Sequence, residues 1–239
     1  MTKGITSDPA APTTPEPPDD KRRPIERTER IPADEPPPPR GALQPDHPRF
    51  QGERRGDAAT EKLGANVTDQ QRASYEAEDR VAEALVARGY IVRQMPENNN
   101  VARQVRADYG LPDPPNSGRN PDLYVGTPES GGYIDVLCAE ATSGIPAERR
   151  AGQILDKAVR KVSDGQAQRV YIDLNRPGQN LTTDDLQTEW TQRYAERADN
   201  GAIYHPRQND GSRHLLLELA VYDGNRLTYL YSRYDQEPG

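Results

Sequence analysis

The sequence is short of the residues from which proteins build covalent cross-links and zinc sites, because its 239 residues include one cysteine and three histidines. A lone Cys138 cannot form an internal disulfide, which excludes a disulfide-framed fold. Cys138 stands in an apolar run and is predicted to be a buried, unreactive thiol. His47 lies in a proline-rich segment, and His205 and His214 lack metal-ligand spacing. A carboxylate site is therefore favoured over a zinc site or a histidine-dependent ribonuclease site.

Long apolar runs and an excess of positive charge are missing as well. No stretch approaches the roughly 20 apolar residues of a membrane helix, and the N-terminus has no apolar core of a signal peptide. We therefore expect no membrane span and expect any export to follow a non-classical route. The net charge of −7 disfavours a broad basic surface for nucleic acid, so phosphate contacts must be local or made through a metal. Arg119 and Arg160 are candidate local contacts for substrate.

Proline is concentrated at the N-terminus. Thirteen of the 23 prolines precede residue 50, four of them in a row at 36–39, and large apolar side chains are scarce there. Such a segment cannot offset its loss of chain entropy by burial, and repeated prolines favour extended polyproline structure. The composition predicts a disordered proline-rich tail or linker over residues 1–68 and one α/β domain over residues 69–239.

The most informative stretch runs from Arg119 to Ala141, RNPDLYVGTPESGGYIDVLCAEA. Its two apolar runs are joined by a turn rich in Pro and Gly, which predicts a β-hairpin. Pro121 cannot donate to a strand ladder, so Asp122 is predicted at the mouth of the first strand, close to Asp135 on the second. Glu140 is an alternative acid on the opposite face of that strand. Buried carboxylates are unfavourable without a partner, and a divalent cation is one common partner.

A helical pattern over residues 68–89 precedes this hairpin. Glu78 falls on the apolar face of the pattern, whereas Asp79 is predicted to face outward. Glu78 then has two possible roles. It is either a cap or salt-bridge partner, or a third acid directed at the cleft of Asp122 and Asp135.

A second helix, over 147–163, lies between two predicted strands. The order strand, helix, strand favours a right-handed parallel crossover. Lys157 and Lys161 lie one turn apart on one edge of this helix. Residues 97–120 are loop-like with a brief helix, and they are the place for a substrate-facing lid or for plain disorder.

Two or three acids with a lysine are the parts that metal-assisted phosphodiester cleavage needs. The carboxylate oxygens suit a hard cation such as Mg²⁺, and a positive group orients the attacking water or stabilises the charge on the phosphate. The candidate residues are Glu78, Asp122 and Asp135 for the metal, with Lys157 or Lys161 as the positive group.

These motifs resemble the PD-(D/E)xK-type C-terminal toxin domains of contact-dependent growth inhibition (CdiA-type) proteins. The similarity spans about residues 75–175 and is carried by Glu78, the Asn120-Pro121-Asp122 and Ile134-Asp135-Val136 triplets, and a Lys161…Gly165-Gln166 segment. It implies a restriction-endonuclease-like mixed sheet flanked by helices, a divalent metal, ribonuclease activity that is often directed at tRNA, and a cognate immunity protein.

The resemblance also assigns roles to residues. Asp122 matches the acid of the Pro-Asp pair, and Gln166 matches a recurrent glutamine before the next strand, a candidate for substrate binding. The usual nuclease motif places lysine two residues after the second-strand acid, where this chain has Leu137. The toxin relatives place it on the following helix, which suits Lys161 or Lys157.

We therefore expect a metal-dependent ribonuclease toxin that is delivered into competitor cells and acts in their cytoplasm. Two alternatives stay open from the sequence. One is a non-catalytic binding or structural module of the same fold, which the missing lysine at position 137 favours. The other is a nuclease that acts on DNA.

Overall fold

The order of helices and strands is that of a mixed α/β protein. The computed structural model describes residues 31–32, 34–47, 51–63, 67–140, 144–206 and 213–233. Within that part the strands are β1 (Glu53–Arg55), β2 (Ile91–Gln94), β3 (Leu123–Val125), β4 (Gly132–Cys138), β5 (Arg169–Asp173), β6 (Tyr204–Pro206), β7 (Arg213–Leu215), β8 (Glu218–Tyr222) and β9 (Leu227–Ser232). The α-helices are α1 (Asp69–Ala87), α2 (Asn99–Tyr109), α3 (Ala147–Ser163), α4 (Thr183–Arg193) and α5 (Ala195–Asp199).

A seven-stranded mixed sheet forms the centre of the protein, with the strand order β1-β2-β3-β4-β5-β8-β9. The strands β4, β5 and β8 run parallel, and β2, β3 and β4 pair antiparallel. Helix α1 packs on one face, whereas α3 and α4 pack on the other. The expected fold class, a mixed sheet flanked by helices, is confirmed.

The β3–β4 hairpin forms where the Pro/Gly-rich turn predicts it. Gly126 adopts a φ of 94°, a conformation that other residues rarely take. A Cβ on Gly131 would lie 2.4 Å from the carbonyl oxygen of Val125, so glycine is required at this close approach. The Tyr124 hydroxyl donates to the Thr127 carbonyl across 3.0 Å and closes the turn.

The β4–α3–β5 unit is the predicted parallel crossover. Ile154, Leu155, Ala158 and Val162 form the buried stripe of α3, at the spacing of one helix face. Because α3 returns across the face of β4 towards the start of β5, its last turn lies over the first half of β4. This arrangement places Lys161 above Asp135.

Part of the segment that composition assigned to the tail lies against the domain. β1 pairs in parallel with β2 and widens the sheet. Leu43 is 5% exposed in the core beside α1, and the His47 amide donates to the Gly89 carbonyl across 2.8 Å. The folded part therefore extends to the N-terminal side of residue 69, while residues 1–30 of the predicted tail lie outside the described residues.

The predictions for α2 and for Asp79 on α1 have different outcomes. The brief helix expected in 97–120 is α2, capped by the Asn98 side chain. Asp79 faces inward, contrary to the prediction, and accepts hydrogen bonds from the Ala59 and Thr60 amides at 2.7 and 3.0 Å. No helix among the described residues has the length and apolar character to cross a membrane.

Candidate active site

Asp135 is a fully buried carboxylate in the middle of β4. Its exposure is 0%, and its side chain is on the same face of the strand as Leu137, towards α3. Among the described residues, neither of its oxygens accepts a well-formed hydrogen bond. One charge compensates it, since the Lys161 Nζ lies 3.1 Å from Oδ1. A carboxylate so poorly satisfied in a sheet interior is unusual, because burial of an unpaired charge is strongly unfavourable.

A second carboxylate, Asp122, makes the negative charge on Asp135 still less favourable. Burial, followed by the nearby Asp122 charge, raises the pKa of Asp135 well above its ordinary value, and Lys161 opposes the shift only in part. A negative charge on one acid opposes ionisation of the other, and the single charge of Lys161 does not cancel this repulsion and the cost of burial together.

Asp122 stands at the entrance of the first hairpin strand, as predicted from Pro121. Its Oδ2 accepts a hydrogen bond from the Val136 amide across 2.7 Å, where a backbone carbonyl would otherwise continue the ladder. Its own carbonyl accepts from the Met95 amide at 2.9 Å. Asp122 is thus held by its side chain on the β4 side and by its backbone on the β2 side, where β3 begins between these two strands.

Lys161 is oriented by a local motif at the end of α3. Gly165, with a φ of 74°, ends the helix, and the Gln166 amide donates to the Lys161 carbonyl across 3.0 Å. This C-terminal turn brings the Gln166 Oε1 to 3.2 Å from the Lys161 Nζ. The Gln166 Nε2 donates to the Asn120 carbonyl at 3.0 Å. Gln166 therefore connects the lysine to the loop that carries Asp122.

Glu78 is 8% exposed on the sheet-facing side of α1, as the periodicity predicts. However, α1 covers the face opposite to α3, and the Glu78 Oε2 accepts from the Gln94 Nε2 across 3.0 Å. Among the described residues, no three Asp, Glu, His or Cys side chains form a group that could hold a metal ion. The structure therefore joins Asp122 to Asp135 and leaves Glu78 outside a three-carboxylate cluster.

The other predicted site residues lie away from this centre. The Lys157 Nζ donates to Glu140 across 2.7 Å, so of the two candidate lysines only Lys161 reaches Asp135. Arg119 is exposed and lies 3.6 Å from Asp164. Arg160 is exposed on α3.

The contacts that Gln94 and Asn120 make at the site were not predicted from the sequence. Gln94 contacts Glu78, and Asn120 supplies the carbonyl that holds Gln166. The position of Asn120 directly before the Pro-Asp pair was a usable signal for it. Gln94 gave none, because its contact depends on how β2 packs against α1.

The Asp122 and Asp135 pair fits a divalent cation. Mg²⁺ is commonly bound through one or two carboxylates and completed by waters and substrate phosphates. The two oxygens of Asp135, which accept no well-formed hydrogen bond among the described residues and lie beside a second carboxyl group, provide such a donor set. Glu78 does not belong to it as the structure stands.

Comparison with known proteins gives one similarity of fold. No protein-family model and no curated protein matches the chain. A solved CdiA-CT/CdiI toxin and immunity complex from Burkholderia pseudomallei is similar, with a TM-score of 0.46 and 18% identity over 74% of this chain and 98% of that chain. A similarity of this extent leaves the family open, so function has to be argued from the chemistry of the site.

Proposed function

We propose that the chain is a metal-dependent ribonuclease of the toxin type. The observation that carries this proposal is Asp135, a carboxylate with 0% exposure and no well-formed hydrogen bond among the described residues, placed between Asp122 and Lys161. A purely structural carboxylate would be satisfied by donors. An unsatisfied one beside a second acid and a lysine is suited to bind a cation that brings a phosphate with it.

Each residue then has a role. Asp122 and Asp135 would hold the metal, which supplies Lewis-acid activation of water and neutralises charge on the phosphate. Lys161 stabilises the negative charge that develops on the phosphate oxygens. Gln166 positions Lys161 relative to the Asp122 loop.

The biological setting follows from the motif resemblance. We infer an interbacterial toxin that is delivered by a non-classical route, cleaves RNA in the cytoplasm of the target cell, with tRNA as the first substrate to test, and is blocked by a cognate immunity protein. A self-toxic nuclease requires such a partner in the cell that makes it.

The experiment uses the full chain with total RNA and Mg²⁺. Wild type is expected to degrade tRNA, and Asp122→Ala and Asp135→Ala are expected to leave it intact. Asp184→Ala, which removes an exposed acid at the start of α4, is the matched control and should cleave like wild type. RNA that stays intact under Mg²⁺, Mn²⁺ and other divalent ions, or equal cleavage by the site variants, would refute the proposal.

A non-catalytic module of the same fold is the second candidate. Leu137 in place of the usual lysine and the absence of a three-carboxylate group among the described residues favour it. Titration calorimetry separates the two, because a module without a metal site takes up neither Mg²⁺ nor Mn²⁺. Degraded plasmid beside intact tRNA would instead identify a nuclease for DNA.

A further inference from the structure

A cleft of about 350 Å³ opens between the C-terminal end of β4 and the middle of α3. It is lined by the cations Arg150, Lys157 and Arg160, by the acids Glu140 and Asp156, and by apolar side chains that include Ala139, Ile154 and Leu181. The cleft therefore has three cations against two acids, beside apolar side chains.

The cleft lies about one turn of α3 from the carboxylate pair, since Lys157 lines the cleft and Lys161 contacts Asp135. Two lysine–acid contacts follow one another along the same helix and strand, Lys161 with Asp135 at 3.1 Å and Lys157 with Glu140 at 2.7 Å. Lys157 precedes Lys161 by about one helical turn, roughly 5.4 Å along the axis. Lys157 and Lys161 therefore form one edge of α3 that leads from the carboxylate pair to the cleft.

The three cations of the cleft differ in how strongly they are bound to other protein groups. Arg150 is 5% exposed and donates to the Glu140 carbonyl across 2.6 Å, so it supports the wall. Lys157 forms an exposed pair with Glu140, and such pairs are weak enough for a bound anion to compete. The exposed guanidinium of Arg160 has no hydrogen-bond or ion-pair partner within the described part of the chain. Arg160 and Lys157 are thus available to a ligand.

We propose that this cleft is a subsite for the nucleotide next to the scissile phosphate. Lys157 contacts its phosphate, and its base stacks on the Arg160 guanidinium beside the apolar side chains, since unpaired bases stack on guanidinium planes. The inference rests on the proposed function. It also explains how a chain with a net charge of −7 holds a polyanion, because the contacts are concentrated beside the site.

The test measures binding separately from cleavage. The full chain carrying Asp135→Asn is titrated with fluorescently labelled tRNA in the presence of Mg²⁺, and Lys157→Ala and Arg160→Ala are added singly and together. We expect the double change to weaken binding at least about tenfold and to reduce the slope of log K against log salt by about one phosphate contact, that of Lys157. Thermal melts establish that each variant is folded.

Arg149→Ala is the matched control, since Arg149 is an exposed cation on the same helix that does not line the cleft. It should bind like the parent. If the folded double variant binds as tightly as the parent while wild type cleaves RNA, the subsite is refuted and the ribonuclease stands. If the parent binds no RNA and wild type does not cleave, the proposed function fails together with the subsite.

Discussion

Two carboxylates in this sheet are equally buried and differently satisfied. Asp135 on β4 and Glu218 on β8 both have 0% exposure. Glu218 accepts from the Leu43 amide at 2.8 Å and from the Arg169 Nε at 2.7 Å with one oxygen, and from the Tyr171 hydroxyl at 3.1 Å with the other. Asp135 has an ion pair with Lys161 and no well-formed hydrogen bond among the described residues.

The difference separates an acid whose hydrogen bonds stabilise the fold from one whose oxygens are left for a ligand. Glu218 joins three parts of the chain, namely the N-terminal segment through Leu43, β5 through Arg169 and Tyr171, and its own strand. A buried acid with donors at both oxygens contributes to stability through the fixed position of its partners. Among the described residues, Asp135 lacks well-formed hydrogen bonds at its oxygens, which is the arrangement expected where a bound ligand compensates the charge.

The largest predicted difference between Asp135 and Glu218 is in RNA cleavage. Asp135→Asn keeps the shape of the side chain and removes its charge, so RNA cleavage should fall by about 1,000-fold, the scale of a lost electrostatic group at a reaction centre. Unfolding in urea should show a stability equal to or greater than that of wild type, because an unfavourable buried charge is gone. A large loss of stability would place Asp135 in the same class as Glu218.

Glu218→Ala should produce the opposite result. It leaves the Arg169 guanidinium and the Leu43 amide without their acceptor, and removal of one partner from a buried pair destabilises a protein by about 3 to 5 kcal/mol. Urea denaturation measures this change, and activity under native conditions should stay within about twofold for the molecules that remain folded. A stability loss below about 1 kcal/mol would contradict the structural role of Glu218.

Gln166→Ala tests how Lys161 is held. Loss of the 3.2 Å contact to Lys161 frees the ammonium to move away from Asp135, so kcat should fall about tenfold, the scale seen when outer-shell support is removed, with little change in KM. A substrate-binding role for Gln166 would instead appear mainly in KM. Gln104→Ala on the exposed side of α2 serves as the control and should change neither constant.

The smallest effect concerns alkaline pH near Glu218. Burial, and then the neighbouring Glu218 charge, raises the pKa of Tyr229 to about 12. In the unfolded chain this tyrosine ionises near pH 10, so its contribution to stability is complete below about pH 10 and is lost as the pH rises towards 12. Tyr229→Phe should therefore flatten the fall of unfolding free energy between pH 10 and 12, by at most about 1.4 kcal/mol per pH unit.

Urea denaturation at several pH values measures that slope. Asp135→Asn provides the comparison, since it leaves the tyrosine cluster intact and should retain the wild-type slope. Equal slopes for wild type and Tyr229→Phe would show that Tyr229 titrates alike in both states.

Local patterns predicted much of this fold. The Pro/Gly-rich turn indicated the β3–β4 hairpin, helical periodicity indicated α1 and α3, and together they brought Asp122 towards Asp135 and allowed Lys161 to reach it. These features depend on turn dihedrals and on the spacing of apolar residues, both of which are local. The metal and the RNA substrate stay predictions.

The remaining features depend on contacts between distant segments. Asp79 faces inward because a short 3₁₀ helix at Ala59–Lys62 presents amides to it, and nothing in α1 itself indicates that partner. Glu218 was not singled out from the sequence, because its donors come from Leu43 and from β5, which are distant along the chain. Glu78 satisfies the predicted burial and still pairs with Gln94, since the packing of α1 on β2 determines its direction.

The hydrogen bond from the Val136 amide to Asp122 gives the site a spectroscopic reporter. The amide proton is held by a side chain whose charge changes when a proton or a cation binds, whereas its neighbours in β4 are held by backbone carbonyls. Its NMR chemical shift should follow the state of Asp122 during a titration with Mg²⁺. Occupancy of the carboxylate pair can therefore be observed from one backbone signal, without RNA and without turnover.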